Sequence, residues 1–427
     1  MSNLAQNLAQ TALSLDQIFT HRQHTKDAIK QVTRSDHNPM LYSVCQDTLR
    51  FYPSYEAWVS QNCKIKHKDR VIFYLLVTAV FQLHHYKKIS KNQFIHSAAE
   101  SCRLLRKSSA KHLVYAVLKK ISPPSTLPGL APHLQVNVPF WLFKSIEESV
   151  PEQHQKEIFN TWSKKPSIQH FRINKPNTLD SVTQQEAADL GLKPSGVTGC
   201  FQAEALSRQQ TSLIIEAGWY AQNIVNQVIP SLLPQLGKGA KVLDCCAAPG
   251  GKTGALINHQ TEIHVTACDK SEDKVAKTRD NLKHYPQTNF LVMDATVPNA
   301  KFNQSFDAIL VDAPCSALGT IQKHPDVKFI QSKENQPLLS TQQTIILSSV
   351  WPYLKPGGYL LYSTCTITKE ENDQVIAKHT RNHPEAKVIP LNHPRAEPTL
   401  HGIIFYPNME QDGGYASLLQ KSVDRSQ

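Results

Sequence analysis

The feature that most restricts this chain is the alternation of short strands and helices that begins near residue 236. Five runs, KVLDCCAA, EIHVTACD, NFLVMDA, FDAILVDAP and GGYLLYSTC, are β-branched or apolar. Each ends on an acid, a small residue or a cysteine, and helical stretches separate them. That order predicts an α/β fold built on a doubly wound parallel sheet. Ligands of such sheets bind outside the carboxyl ends of the strands, so the chemistry is expected there.

Upstream the pattern is different. Residues 1–122 repeat apolar positions at three- and four-residue spacing in LAQTALSLDQIF, VIFYLLVTAVFQL and SAAESCRLLRKSSAKHLVYAVLKKI, which predicts an all-α domain. The proline- and serine-rich stretch ISPPSTLPGLAPH (121–133) reads as a linker. Two short helices in WLFKSIEESVPEQHQKEIFNTW and an extended segment QHFRINK (169–175) follow. With 427 residues the chain exceeds what one core fills, and the expected division is 1–125, a connecting part 126–235, and 236–427.

Charge separates the same parts. The chain carries a formal +11, and residues 1–125 hold 18 Lys and Arg against 7 Asp and Glu, while the remainder holds 28 of each. A surplus confined to one segment points to a polyanion partner. Arg103, Arg106, Lys107, Lys111, Lys119 and Lys120 recur along one helical region and are its candidate contacts with an RNA backbone. The nine cysteines are scattered with no CxxC pair, which argues against a disulfide framework and a structural zinc site and fits a reducing cytoplasm. The N-terminus lacks the pattern of a signal peptide. The longest apolar run, 71–83, is shorter than the ~20 residues that span a bilayer, so it reads as a buried core helix and no membrane partner is expected. His84 and His85 have no ligand partners at metal spacing and read as packing or surface residues.

The first strand of the α/β half runs into Asp244–Thr253, DCCAAPGGKT. A phosphate-binding P-loop needs glycine where Cys246 stands, and a dinucleotide fingerprint needs one where Pro249 stands. What remains is a small-residue turn that lets a ligand approach the backbone at a helix start. The second strand ends at Asp269, suited to ribose hydroxyls, and the third reaches Asp294, suited to an adenine amine. Three such ends in register imply a nucleoside cofactor. The missing pyrophosphate fingerprint favours S-adenosylmethionine over NAD.

The fourth and fifth strands end in Asp312-Ala-Pro-Cys315 and Ser363-Thr-Cys365. Neighbouring strands would bring both thiols to one rim. Methylation of a pyrimidine ring carbon needs such a group, because carbon 5 of cytosine becomes nucleophilic only after a thiolate adds at carbon 6. An acid beside the ring stabilises the charge that develops on addition. Spacing alone does not rank the two thiols.

LDCCAAPGGKT, DAPCS with HPD beyond it, and YSTCTITKEEN resemble, in order and separation, the Sun/Fmu (RsmB-type) family of RNA cytosine-5 methyltransferases. The segment WLFKSIEESVPEQHQKEIFNTWSKKPSIQHFRINK is similar to the family's connecting segment in its bacterial 16S ribosomal RNA branch. The helical N-terminus is similar to that branch's NusB-like RNA-binding domain. The resemblance implies a Rossmann-like methyltransferase domain preceded by an all-α NusB-like domain and a small connecting RNA-binding subdomain, acting as a cytoplasmic monomer on 16S ribosomal RNA. It implies Cys365 as nucleophile, Cys315 as the thiol assisting product release, and Asp312 facing both cofactor and base. Cys246, Ala247, Ala248, Pro249, Gly250, Gly251 and Lys252 would line the methionine and ribose side of S-adenosylmethionine, Asp269 its ribose, and Asp294 its adenine. His324-Pro325-Asp326 would shape the loop beside the target base.

The chain departs from the family pattern at Ala317-Leu318-Gly319, at GWYAQN (218–223) where a Gln-Asp pair is usual, and at DGGYASLL (412–419), which lacks an aromatic pair. Glu370-Glu371-Asn372 follows the Thr-Cys motif, unlike the downstream Glu-Asn-Val of DNA cytosine methyltransferases. Two other readings stand beside this one: the same chemistry on tRNA or another ribosomal RNA, and a non-catalytic RNA-binding assembly factor. The NusB-like domain speaks against the first and the two rim thiols against the second.

Overall fold

The computed structural model describes residues 3–35, 38–63, 69–86, 89–120, 130–174, 181–204 and 206–423. Most of the 121–133 linker therefore lies outside the described residues. The chain divides into two compact units: Met1–Lys165 with Ile321–Lys333, and Pro166–Thr320 with Glu334–Gln427.

The first unit is helical. It comprises α1 (Asn3–His21), α2 (Thr25–Thr33), α3 (Pro39–Asn62), α4 (Arg70–His85), α5 (Lys91–Leu104), α6 (Lys111–Lys120), α7 (Pro132–Gln135), α8 (Phe140–Ser149) and α9 (Glu152–Trp162). Helix starts coincide with capping side chains. Asn38, Asp69 and Ser90 each accept the backbone N–H three residues on, satisfying a donor the helix leaves open. The apolar run expected to be a core helix is α4, buried continuously from Ile72 to Gln82. It packs on α1, whose Leu8, Leu15 and Ile18 are fully buried. Each such side chain contributes roughly 1.5–3 kcal/mol. No helix among the described residues is long and apolar enough to cross a membrane. His84 and His85 both bond the Tyr55 hydroxyl and serve packing.

The segment 321–333 belongs to this helical unit. Phe329 packs its ring against Phe19 and Tyr52, with centroids 5.0 and 5.5 Å apart. Lys328 is buried and donates to the carbonyls of Arg50 and Asn137 at 2.9 and 2.8 Å. Burial holds its ammonium well below the ordinary lysine range. Asp326, expected to shape the loop beside the target base, accepts the Thr25 N–H at 3.0 Å and pairs with His24 at 3.1 Å. Its motif therefore anchors the segment in the helical unit.

The second unit opens with a four-stranded antiparallel sheet in the order β2-β3-β1-β4. Its strands are β1 (Ile168–Ile173), β2 (Lys193–Pro194), β3 (Cys200–Glu204) and β4 (Trp219–Ala221). Helices α10 (Ser181–Asp189) and α11 (Arg208–Glu216) lie between them, and α12 (Ile224–Ser231) leads out. A nine-stranded sheet follows. Its parallel part is β5 (Lys241–Asp244), β6 (His264–Asp269), β7 (Thr288–Val292), β8 (Phe306–Asp312) and β9 (Leu354–Thr364), in the order β7-β6-β5-β8-β9. These are the five runs read from the sequence. Helices α13 (Gly251–His259) and α14 (Glu272–Asn281) make the first two crossovers. Short strands β10 (Ala386–Ile389), β11 (Glu397–Pro398), β12 (Ile403–Phe405) and β13 (Gly414–Lys421) extend the sheet with antiparallel pairing, β13 lying on β9. β13 is buried at six successive positions, so it lacks the alternation that marks a strand in sequence. The core under the sheet joins Val225, Val228 and Ile229 of α12 to Val242, Val265 and Leu310. Strand order reverses between β5 and β8, and the crevice at that switch point is where a ligand belongs.

Candidate active site

The turn after β5 is shaped by backbone. The chain leaves β5 at Asp244, which is fully buried and accepts from the Thr253 hydroxyl at 2.6 Å. Burial pushes this carboxyl up to about 7. The Ala247 N–H donates to the Cys268 carbonyl at 2.9 Å. Gly250 has φ +97°, and a Cβ there would come within 3.0 Å of Leu282, so the turn requires glycine. Asn281 donates to the Pro249 carbonyl at 2.8 Å.

Arg172 supports this turn from β1. Its buried guanidinium donates to Gln222 at 2.7 Å, to the Tyr285 hydroxyl at 3.0 Å and to the Gly251 carbonyl at 3.2 Å. It also lies 4.6 Å from the Tyr220 ring centroid. A Cβ on Gly254 would meet its Nη2 at 2.5 Å. Tyr220 and Gln222 sit in GWYAQN, the stretch that departs from the family pattern, and there they hold Arg172. Sequence reading had singled out none of these contacts; the available signal was a cation between apolar neighbours in an extended run.

The sequence-derived residues converge on one cavity of about 230 Å³. Cys246, Ala248, Asp269, Asp294, Asp312, Cys315 and Cys365 line it. Ala247 is buried behind the wall, and Pro249, Gly250 and Gly251 form the turn. Lys252 is buried and ion-paired to Asp312 at 2.6 Å. Burial opposes its charge, but the Asp312 carboxylate, reinforced by Cys365 and Cys315, holds Lys252 above the ordinary lysine range. Asp294 accepts from the hydroxyl and N–H of Thr296 at 2.7 and 2.9 Å, which lowers its carboxyl below the usual range.

Strands β8 and β9 are hydrogen-bonded neighbours, with Asp312 in register with Ser363. They bring the sulfurs of Cys315 and Cys365 to 3.2 Å. The Cys365 N–H points at the Cys315 sulfur, 3.3 Å away, and Ser363 donates to Asp312 at 3.2 Å. The hydrogen bond to Cys365, burial and nearby negative charge from Cys365 and Glu371 raise the Cys315 thiol well above its usual range. Gly319 donates to the Cys365 carbonyl at 3.0 Å and accepts from Gly413 at 2.8 Å. A Cβ on Gly319 would meet the Gly413 carbonyl oxygen at 2.5 Å, so two of the three departures from the family pattern, 317–319 and 412–419, cross here at backbone contact.

Glu371 was noticed in the sequence only as part of Glu-Glu-Asn. It is wholly buried, and burial raises its carboxyl. It bonds Ser316, Gln343 and Thr368. An acid just ahead of an amphipathic helix was the only signal, and it reads equally well as a helix-start charge.

Comparison with known proteins agrees with this layout. The family model for 16S rRNA methyltransferase RsmB/F matches residues 231–420, and that of the NusB family matches residues 3–123. Ribosomal RNA small subunit methyltransferase B of Photorhabdus laumondii is 30% identical over 411 residues, covering 88% of this chain and 90% of its own. The protein of that name from Vibrio cholerae is 30% identical over 414 residues, covering 92% of each. The crystal structure of PH0851 superposes with a TM-score of 0.81 at 22% identity, covering 99% of each chain, a likeness of fold. With both family models in this order and relatives 30% identical over 88% and 92% of the chain, the chain belongs to the RsmB/F family of 16S rRNA methyltransferases.

Proposed function

We propose that this chain transfers a methyl group from S-adenosylmethionine to carbon 5 of a cytosine in 16S ribosomal RNA, through a covalent bond between Cys365 and the base. The observation that carries the reading is the pair of sulfurs 3.2 Å apart, beside Asp312 on a cavity with two further strand-end acids. The residues fit the cofactor. Asp269 and Asp294 offer acceptors for ribose hydroxyls and an adenine amine, and Ala248 leaves the backbone approachable. Residues Cys246 to Lys252 form the methionine side, with Cys246 and Ala248 facing the cavity. Bound there, the cofactor supplies an electrophilic methyl group.

The Cys365 thiolate adds to carbon 6 of cytosine, and the new C–S bond drives ring electrons onto carbon 5, which takes the methyl group. The Lys252 ammonium stands beside Asp312 and is held charged by that carboxylate and the two nearby sulfurs. Asp312 accepts from the exocyclic amine and stabilises the charge that develops. Loss of the carbon-5 proton to a base then returns an electron pair to the ring and expels the Cys365 sulfur. Cys315, kept a thiol, gives that leaving sulfur a proton. The base must leave any stack to reach both sulfurs.

The helical unit seats the RNA. Among its candidate contacts, Lys107 pairs with Asp69 and Lys111 with Glu100, which tempers the charge on α5 and α6. The working parts are 1–125 and 126–235 for RNA and 236–427 for methyl transfer. The enzyme acts in the cytoplasm as a monomer, and its nine free thiols suit a reducing compartment.

Tritiated S-adenosylmethionine with unmodified 16S RNA tests the reading. Label in 16S RNA is expected; label in tRNA alone supports the tRNA substrate, and none supports an assembly factor. Cys365→Ala abolishes labelling, and Cys315→Ala accumulates a protein–RNA adduct on a denaturing gel. An adduct from Cys365→Ala instead reverses the thiol roles.

A further inference from the structure

We infer that two adjacent buried residues, Glu371 and Asn372, each position one of the two thiols: Glu371 sets Cys315 for release, and Asn372 sets Cys365 for attack. The inference rests on the thiol roles proposed above and deepens them.

Glu371 takes the residue after Cys315. Its Oε2 accepts the Ser316 N–H at 2.8 Å, and its Oε1 accepts the Ser316 hydroxyl in a short bond. Gln343, on the helix Asn335–Val350, donates to Glu371 at 3.0 Å and to the carbonyl of Pro314 at 2.9 Å. The residues on both sides of Cys315 are thereby fixed from one carboxylate and its donor. Thr368 Oγ1 adds a bond to the same carboxylate at 3.3 Å. A wholly buried carboxylate is costly to desolvate, and an apolar residue of similar size would fill this space with less penalty. What an apolar residue lacks is a multiple acceptor that locks a backbone N–H, a hydroxyl and an amide in one geometry.

Asn372 takes both residues flanking Cys365. Its Oδ1 accepts the Thr364 hydroxyl at 2.6 Å, and its Nδ2 donates to the Thr366 carbonyl at 3.2 Å. It stands at the N-cap of the helix Asp373–Asn382, yet its side chain caps nothing there. Asparagine is favoured at that position because it caps. Here the side chain is diverted to the thiol loop, and the helix forgoes that bond. The two supports meet where the Ser316 and Thr366 hydroxyls bond at 2.9 Å. Catalytic groups require such locked supports, since small displacements cost large factors in rate.

Neither residue touches the reacting atoms, so both are positioning residues with separable effects. Near-isosteric Glu371→Gln and Asn372→Asp are compared alone and combined with Cys315→Ala, using 16S RNA and S-adenosylmethionine. The rate of adduct formation and the adduct fraction at steady state are read on denaturing gels, and thermal melting gives the cost in stability. Glu371→Gln is expected to slow turnover about tenfold and raise the adduct fraction, while adduct formation with Cys315→Ala stays within about twofold. Asn372→Asp is expected to slow adduct formation about tenfold in both backgrounds, and no adduct accumulates while Cys315 is present. The inference is overturned if both variants slow adduct formation alike, or if both lower only the melting temperature. If Cys315→Ala alone yields no adduct, the thiol roles fail and the inference falls with them. If that variant yields the adduct and Glu371→Gln does not, the inference alone fails.

Discussion

On the β5–β7 side of the cavity, the chain itself makes the site: Gly250 turns it, Ala248 leaves it open, and Arg172 and Asn281 brace backbone carbonyls. On the β8–β9 side, the chain presents two cysteines on loops that need outside support, and side chains supply it: Glu371, Asn372 and Gln343. The first arrangement tolerates a ligand that arrives and leaves with each turnover. The second fixes two sulfurs at 3.2 Å, as the proposed covalent step requires. Cofactor binding and thiol geometry should therefore fail independently.

Gly319→Ala is the strongest probe of that separation. Its Cβ has no room against the Gly413 and Cys365 carbonyls, so adduct formation with Cys315→Ala should fall about a hundredfold. Binding of S-adenosylmethionine by equilibrium dialysis should hardly change. A matching loss of binding would show that the two sides are one unit.

Asp244→Asn tests the cofactor side through stability. Asp244 titrates at about 7 when folded and near 4 when unfolded. Between those values the folded state holds a proton that the unfolded state has released. The native carboxyl therefore contributes most below about pH 4, loses that contribution as pH rises to about 7, and stays at a constant deficit above. The asparagine variant should gain about 4 kcal/mol relative to the parent between pH 4 and pH 8. Thermal melts at both values measure it, and a difference independent of pH would contradict the assignment.

Arg172→Ala should weaken S-adenosylmethionine binding about tenfold while adduct formation stays within about threefold at saturating cofactor. Arg172→Lys should not restore binding, because an ammonium cannot reproduce the planar fork. Gln343→Leu should have the smallest effect, slowing release about threefold by freeing the Pro314 carbonyl. Single-turnover kinetics separate that step from attack.

How much of this could be read beforehand follows the same divide. The five parallel strands, and both cysteines on neighbouring strand ends, were legible because apolar runs and terminal acids are local patterns. The turn at Gly250 was legible because glycine and proline spell out backbone. Glu371 and Arg172 were not, because each acts on residues 55 and 79 positions away, at Ser316 and Gly251. Nothing local distinguishes a buried charge from a solvated one. The same limit hid β13, buried along six successive residues, and the small sheet beyond β1. It also hid the partners of Asp326, at 24 and 25, which lie about 300 residues upstream.

That last contact bears on how the protein can be taken apart. The helical unit is discontinuous: after Cys315 the chain returns to it for thirteen residues, leaving Phe329 among aromatic rings and Lys328 in a buried cradle of carbonyls. No single cut divides the molecule into its two units. A fragment beginning at residue 166 would carry Phe329 and Lys328 without the surroundings that accommodate them, so the catalytic half cannot simply be clipped out and moved as a cassette. Any shuffling of RNA-binding domains in this architecture has to exchange both pieces of the helical unit together.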